Sequence, residues 1–307
     1  MWKTVIFLIF TLLVVPVITF KFDVPLTDLQ WQAMTTLLWV YGISAALTFI
    51  ISTVTDNYSQ VDKLWSIIPV PYVWIIAYYS NFEPRIVLMA ILATFWAIRL
   101  TYNFARRGGY SWKFWTGDED YRWAILRAKP EFQAKWKWMI FNLLFISAYQ
   151  MGLILLFTLP ALKAMDSGVP LGIFDYLLAA LIIGFVVMEF MADQQQYDYQ
   201  EEKYRQRKAG KVDAHHEIGF THTGLWAYMA HPNYAAEQSI WIVFYFFSIV
   251  ATGNLINWSI AGCLLLVVLF NGSADFSESE TVKKYPLYKD YLSKVGRFIP
   301  LKGKFKL

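Results

Sequence analysis

Residues 224–241, G-L-W-A-Y-M-A-H-P-N-Y-A-A-E-Q-S-I-W, hold the densest set of side chains able to do chemistry in this 307-residue chain. Pro232 has no N–H to donate and a fixed φ, so it suits the first position of a helix. The spacing predicts a helix from Pro232 into the apolar residues 240–250, with Tyr234, Glu237, Gln238 and Trp241 on one face. A charge at mid-bilayer costs roughly 2.5–3.5 kcal/mol, and less near the headgroups, so a polar partner or ligand must meet Glu237. His231 stands at the N-cap, where it can point into the same site. A bound anion there would also meet the free N–H groups of the helix start.

Other polar groups call for an explanation of the same kind. Arg99, Tyr102, Asn103 and Arg106 form a stripe at i, i+3, i+4 and i+7 on an otherwise apolar segment, with Arg107 and then D-E-D-Y-R at 118–122 following. Arg106 and Arg107 suit interfacial anchors that snorkel. Arg99 lies nearly two turns deeper, where a guanidinium wants a carboxylate or a phosphate that it can grip bidentately. Glu189, Asp193, Gln196, Tyr197 and Gln200 share a face, with Gln194 beside it, and two acids at i, i+4 repel on a bare helix. Asp62, in Y-S-Q-V-D-K-L-W at 58–65, reads by itself as a solvated acid at a helix start. His215, His216 and His222 have no metal-ligand spacing and read as a solvated loop. The tail holds Glu278, Glu280, Tyr285, Tyr288, Tyr291 and Arg297, aromatics among charges that suit either an interfacial belt or a nucleotide cap.

The elements that position these groups are membrane helices. Hydrophobic residues make up 57% of the chain and charged ones only 16%, against about 25% in soluble domains. Apolar runs near 4–20, 32–53, 64–80, 85–103, 137–159, 174–192, 236–252 and 255–271 give about eight candidate spans. The expected fold is therefore all-α, a polytopic helical bundle forming a single integral-membrane domain over 1–307. The first run offers no small-x-small cleavage site at Ile18-Thr19-Phe20-Lys21 and reads as an uncleaved helix. Lys and Arg concentrate in 104–136, 193–235 and the tail after 271, which parity puts on one side with both termini, the cytoplasmic side by the positive-inside rule. The formal charge is +4 and no basic run lies on a polar domain, so nucleic acid is not an expected partner. Cys263 is the only cysteine, which excludes a disulfide framework or a cysteine metal site.

Taken in order, R-L-x-x-N-x-x-R-R-G, E-D-Y-R, E-x-x-x-D-Q and G-L-W-x-Y-x-x-H-P-N-Y-x-x-E resemble the steroid 5-alpha-reductase-like membrane family, in particular its DUF1295 branch, over residues 56–300. The resemblance implies an oxidoreductase that takes NADPH from the cytoplasmic side and reduces a carbon–carbon double bond in a lipid-soluble substrate, in a bacterial inner membrane or the endoplasmic reticulum. The positions it marks for the cofactor are Arg99, Arg107, Asp120, Tyr121, Arg122, Asp193, Gln194, His231, Asn233, Tyr234, Glu237, Glu280 and Tyr288. Ala230 stands where reductases of this family usually carry Arg, which removes one possible phosphate contact. The Gln-Glu pair that contacts the ketone in steroid-specific members is absent.

That chemistry asks for particular groups. No G-x-G-x-x-G follows a strand, so membrane helices rather than a Rossmann domain must hold the dinucleotide. Hydride transfer to an alkene conjugated with a carbonyl places negative charge on the oxygen, and a donor aimed there would stabilise it. Tyr234 and Asp62 are the candidate catalytic donors, Asp62 having to be protonated in an apolar pocket, with Tyr102 in reserve. The main alternative is an S-adenosylmethionine-dependent methyltransferase of the isoprenylcysteine carboxyl methyltransferase-like kind, whose His-Pro-x-Tyr helix start and Tyr-x-x-Tyr, Ile-Pro tail are similar. Its cofactor carries no phosphate and would need fewer cations than Arg99, Arg107 and Arg122 supply. A transporter would instead place polar groups near mid-span, on broken helices.

Overall fold

The computed structural model describes residues 2–113 and 115–306, and the side chains of all of these except 2–5, 8 and 9. The first apolar run therefore lies partly outside the described side chains. Among the described residues there is no β-strand, only an isolated bridge between Met229 and Gly296.

In chain order the helices are α1 (Trp2–Lys21), α2 (Asp28–Thr55), α3 (Gln60–Trp65), α4 (Pro69–Tyr79), α5 (Pro84–Ala105), α6 (Tyr121–Arg127) and α7 (Lys135–Phe141). A π-helical stretch, Asn142–Tyr149, runs into α8 (Gln150–Thr158), followed by α9 (Pro160–Ala164), α10 (Ile173–Lys208), α11 (Ala214–Glu217), α12 (Pro232–Thr252), α13 (Ile260–Lys284) and α14 (Tyr288–Lys294). The boundaries follow local chemistry. Thr27 and Gln30 form a reciprocal capping box at the start of α2, which ends where Asp56 turns left-handed. Pro84 and Pro232 open α5 and α12, where a missing N–H costs nothing.

Among the described residues six helical stretches are long and apolar enough to cross a membrane: Asp28–Thr55, Pro84–Ala105, Lys135–Ala164, Ile173–Lys208, Pro232–Thr252 and Ile260–Lys284. The protein is thus an all-helical membrane bundle. Eight spans were expected from the apolar runs. The run at 64–80 is divided, because Pro69 cannot continue the ladder of α3 and the chain restarts as the short α4.

The chain divides into two compact units, Met1–Ala180 with Trp241–Leu266, and Leu181–Ile240 with Val267–Leu307. In the first, Trp241 packs edge-on to Trp96, with ring centroids 4.9 Å apart, and against Phe157 at 4.1 Å. This tryptophan, on the polar face of its helix by spacing, is a core residue. Gly262 lies against the backbone of Leu156, leaving no room for a Cβ. Gly262→Ala should lower stability by about 1–3 kcal/mol, since a peptide group cannot rotate aside as a side chain can. Thermal unfolding in detergent would check it; an unchanged midpoint would mean that the two helices slide apart freely.

Two buried ion pairs tie loops of this unit. Arg85 grips Asp175 with Nε–Oδ1 at 2.7 Å and Nη2–Oδ2 at 3.1 Å. Lys163 meets Asp23 at 2.9 Å, and the same carboxylate oxygen accepts the Trp258 N–H at 2.8 Å. In the second unit the core is aromatic: Phe220, Tyr288, Tyr291 and Phe305, with Ala230 and Val295, form one buried cluster.

Candidate functional site

Some of the candidate residues in each unit are linked by contacts within that unit. In the first unit, the segment entering α3 is clamped by the loop that leads to α6. Asn57 Nδ2 donates to the Gly117 carbonyl at 2.9 Å, Gln60 Nε2 to Trp115 at 3.1 Å and Lys63 Nζ to Thr116 at 2.6 Å. Glu119 accepts the Tyr58 N–H at 2.8 Å and pairs with Arg127, which also reaches Asp56 at 2.9 Å. These contacts fix α6 beside α3 across some sixty residues of sequence.

The result is a carboxylate pair around one guanidinium. Asp120 caps α6, accepting the Arg122 N–H at 2.9 Å, and takes Arg122 bidentately at 2.8 and 3.1 Å. Asp62 accepts the indole N–H of Trp123 at 2.9 Å, and Arg122 Nη2 lies 3.7 Å from its other oxygen. Only 14% of the Asp62 side chain is exposed. Burial pushes the Asp62 carboxyl above the usual carboxylate range, with Arg122 opposing and Asp120 reinforcing the rise. Asp120 is held low instead: burial would raise it, but the charge and hydrogen bonds of Arg122 prevail, helped by Arg107. Two acids whose environments drive them apart are the arrangement that acid–base chemistry uses. Asp62, which reads from its own neighbours as a solvated acid, is thus half-enclosed and partnered.

The remaining candidates of this unit are placed as follows. Arg99 and Asn103 are buried on α5, and Arg106 donates to Asn103 Oδ1 at 3.0 and 2.7 Å. Tyr102 is 54% exposed, with Arg106 over its ring. Tyr121 and Arg107 are exposed.

The second unit holds the His-Pro-Asn-Tyr block. His231 Nε2 meets Glu278 Oε1 at 2.9 Å, Arg297 Nη2 meets Glu278 Oε2 at 2.6 Å, and Arg297 Nη1 meets Asp275 at 2.8 Å. The His231 ring stacks on Tyr234 with centroids 5.1 Å apart, and Tyr234 meets Phe270 edge-on. Asn233 Nδ2 donates to Asp193 Oδ1 at 3.3 Å. Glu189, Asp193, Glu237 and Gln238 are all buried. The tail holds this block from behind: the Ala230 and His231 N–H groups donate to the carbonyls of Gly296 and Arg297, and Tyr291 Oη donates to Trp226 and Met229 at 2.6 and 3.0 Å.

Of the other candidates of this unit, Gln194 donates to Asp198 on its own helix, Glu280 pairs with Lys283 at 2.6 Å, and Tyr288 packs into the aromatic core. The partners of His231, Glu278 and Arg297, were visible in S-E-S-E and R-F-I-P, but no local periodicity connects them to it. The three histidines expected in a solvated loop are a ring cluster instead. His222 is 4% exposed, 4.6 Å from His215 by ring centroids, because Tyr199, Phe220 and Phe305 cover it. Among the described residues no group of His, Cys, Asp and Glu could hold a metal ion.

A protein of Schizosaccharomyces pombe, itself uncharacterized, is 37% identical over 280 residues, covering 85% of this chain and 79% of that one. No solved structure matches. The family described as a protein of unknown function, DUF1295, matches residues 48–295, and the chain belongs to that family.

Proposed function

We propose that this protein is a membrane-embedded reductase that uses NADPH to saturate a carbon–carbon double bond in a lipid-soluble substrate. The observation that carries the reading is Asp62: a carboxyl group partly buried at the edge of the bundle, oriented by the Trp123 indole and raised in pKa by its surroundings. Such a group holds its proton to a higher pH than an ordinary carboxyl and can deliver it to an electron-rich carbon or oxygen. The resemblance of the ordered motifs to steroid 5-alpha-reductase-like enzymes supports the same chemistry. Bound NADPH would supply the hydride. The chain's own share is to bind the nucleotide, exclude water and hold the proton that completes the second carbon.

Purified protein should quench NADPH fluorescence on titration and, given membrane lipid extracts, oxidise NADPH as one unsaturated species disappears. Binding of S-adenosylmethionine without NADPH would replace this reading with the methyltransferase. His231→Ala should weaken NADPH about tenfold, since it leaves Glu278 with one partner fewer and unstacks Tyr234. An unchanged affinity would remove His231 from the nucleotide site.

A further inference from the structure

We infer that the far ends of α10 and α13 build a phosphate-binding site, in which Lys203, Arg207 and Lys284 surround the hydroxyl of Tyr285. Tyr199, Lys203 and Arg207 follow one another at i, i+4, i+8 along α10, and Lys284 and Tyr285 leave the end of α13. Lys203 is 3% exposed, its Nζ donating to the Gly219 carbonyl at 2.9 Å and lying 5.8 Å from the Tyr285 ring. The Lys284 ammonium lies 5.4 Å from the same ring.

The seat of the ring is built for it. Gly219 has φ +91° and lies so close under Tyr285 that a Cβ would enter the ring, so both its backbone and its missing side chain are needed there. The Tyr285 oxygen is buried. It has no hydrogen-bond partner among the described residues, although Arg207 and Lys284 lie near enough to act on it electrostatically. Burial would raise this phenol, but the three cations outweigh burial and hold it below its usual range.

Three positive charges around one hydroxyl repel one another unless an anion joins them. Nearby cations are neutralised elsewhere, Arg205 by Glu202, Lys283 by Glu280 and Lys294 by Asp290. Among the described residues no carboxylate pairs with Lys203, Arg207 or Lys284. A phosphate fits what is left: it is doubly charged, has several acceptor oxygens, and can take the Tyr285 proton donor with ammonium and guanidinium donors. Lys203 lies ten residues beyond Asp193 on the continuous α10, a rise of about 15 Å, which points to a phosphate on a soluble molecule rather than a lipid headgroup. The inference does not depend on the reductase reading.

Calorimetric titration of the purified full chain with inorganic phosphate tests it. Arg207→Ala and Lys284→Ala alter side chains at helix ends, and Tyr285→Phe keeps the ring on Gly219. Each should weaken phosphate about tenfold. No phosphate binding by the unaltered protein, or unchanged affinity in all three variants, would overturn the site. Phosphate competing with NADPH but not with NADH would identify the occupant as a nucleotide's extra phosphate. Protection by phosphatidate vesicles but not phosphatidylcholine vesicles would overturn the soluble source. Failure to bind NADPH, with phosphate binding intact, would count against the reductase alone.

Discussion

Asp62→Asn is expected to slow double-bond reduction by about 10²–10⁴-fold, the usual contribution of a positioned proton donor, while NADPH affinity stays unchanged. The substitution is nearly isosteric, and its amide oxygen can still accept the Trp123 indole N–H that now reaches Asp62 at 2.9 Å. What it removes is a proton that can be given up. The pH profile gives the sign. With the Asp62 pKa raised by burial and by Asp120, the donating form predominates below that raised value and turnover falls as pH climbs through it. The Asn variant should lose this limb as well as the rate. Steady-state rates across pH, with fluorescence titration of NADPH alongside, separate the two effects. A variant with full turnover and the original profile would end Asp62's candidacy and leave Tyr234 as the donor to test.

How much of this was legible in the sequence depends on the reach of each interaction. The start of α12 at Pro232 and the polar face beyond it follow from one residue's covalent geometry and a 3.6-residue period. The membrane character follows from composition and run length. The interruption between α3 and α4 was written in Pro69, yet an average over an apolar run cannot register it. Pairings across long separations left no local trace. Asp62 and Trp123 are 61 positions apart, and His231 and Glu278 are 47 apart. Their partners are chosen by helix packing, which spacing within one helix does not encode. Histidines 215, 216 and 222 teach the same lesson. A polar composition reads as a solvated loop until the aromatic residues that cover it are placed around it.

Arg85→Ala is expected to destabilise the first unit by about 3–5 kcal/mol, because it strands the Asp175 carboxylate in a place without water. The pair is 1% and 0% exposed, and all five N–H groups of the guanidinium are used. Nε and one Nη2 proton go to Asp175, Nη1 to the Ser167 hydroxyl and the Val169 carbonyl, and the other Nη2 proton to the Pro170 carbonyl. Asp175 also accepts the Gly172 N–H at 2.8 Å, so the start of α10 and the loop before it depend on the same two side chains. The large cost belongs to breaking the pair, not to lacking one. Arg85→Met combined with Asp175→Leu should recover much of the loss, since well-packed apolar side chains of similar size often replace a buried ion pair at little cost. Melting midpoints in detergent for the single and double variants decide it. If Arg85→Ala melts with the unaltered protein, water reaches Asp175 and the carboxylate is not stranded. If the double variant melts as low as the single one, the loop contacts of Arg85, rather than the stranded charge, carry the stability.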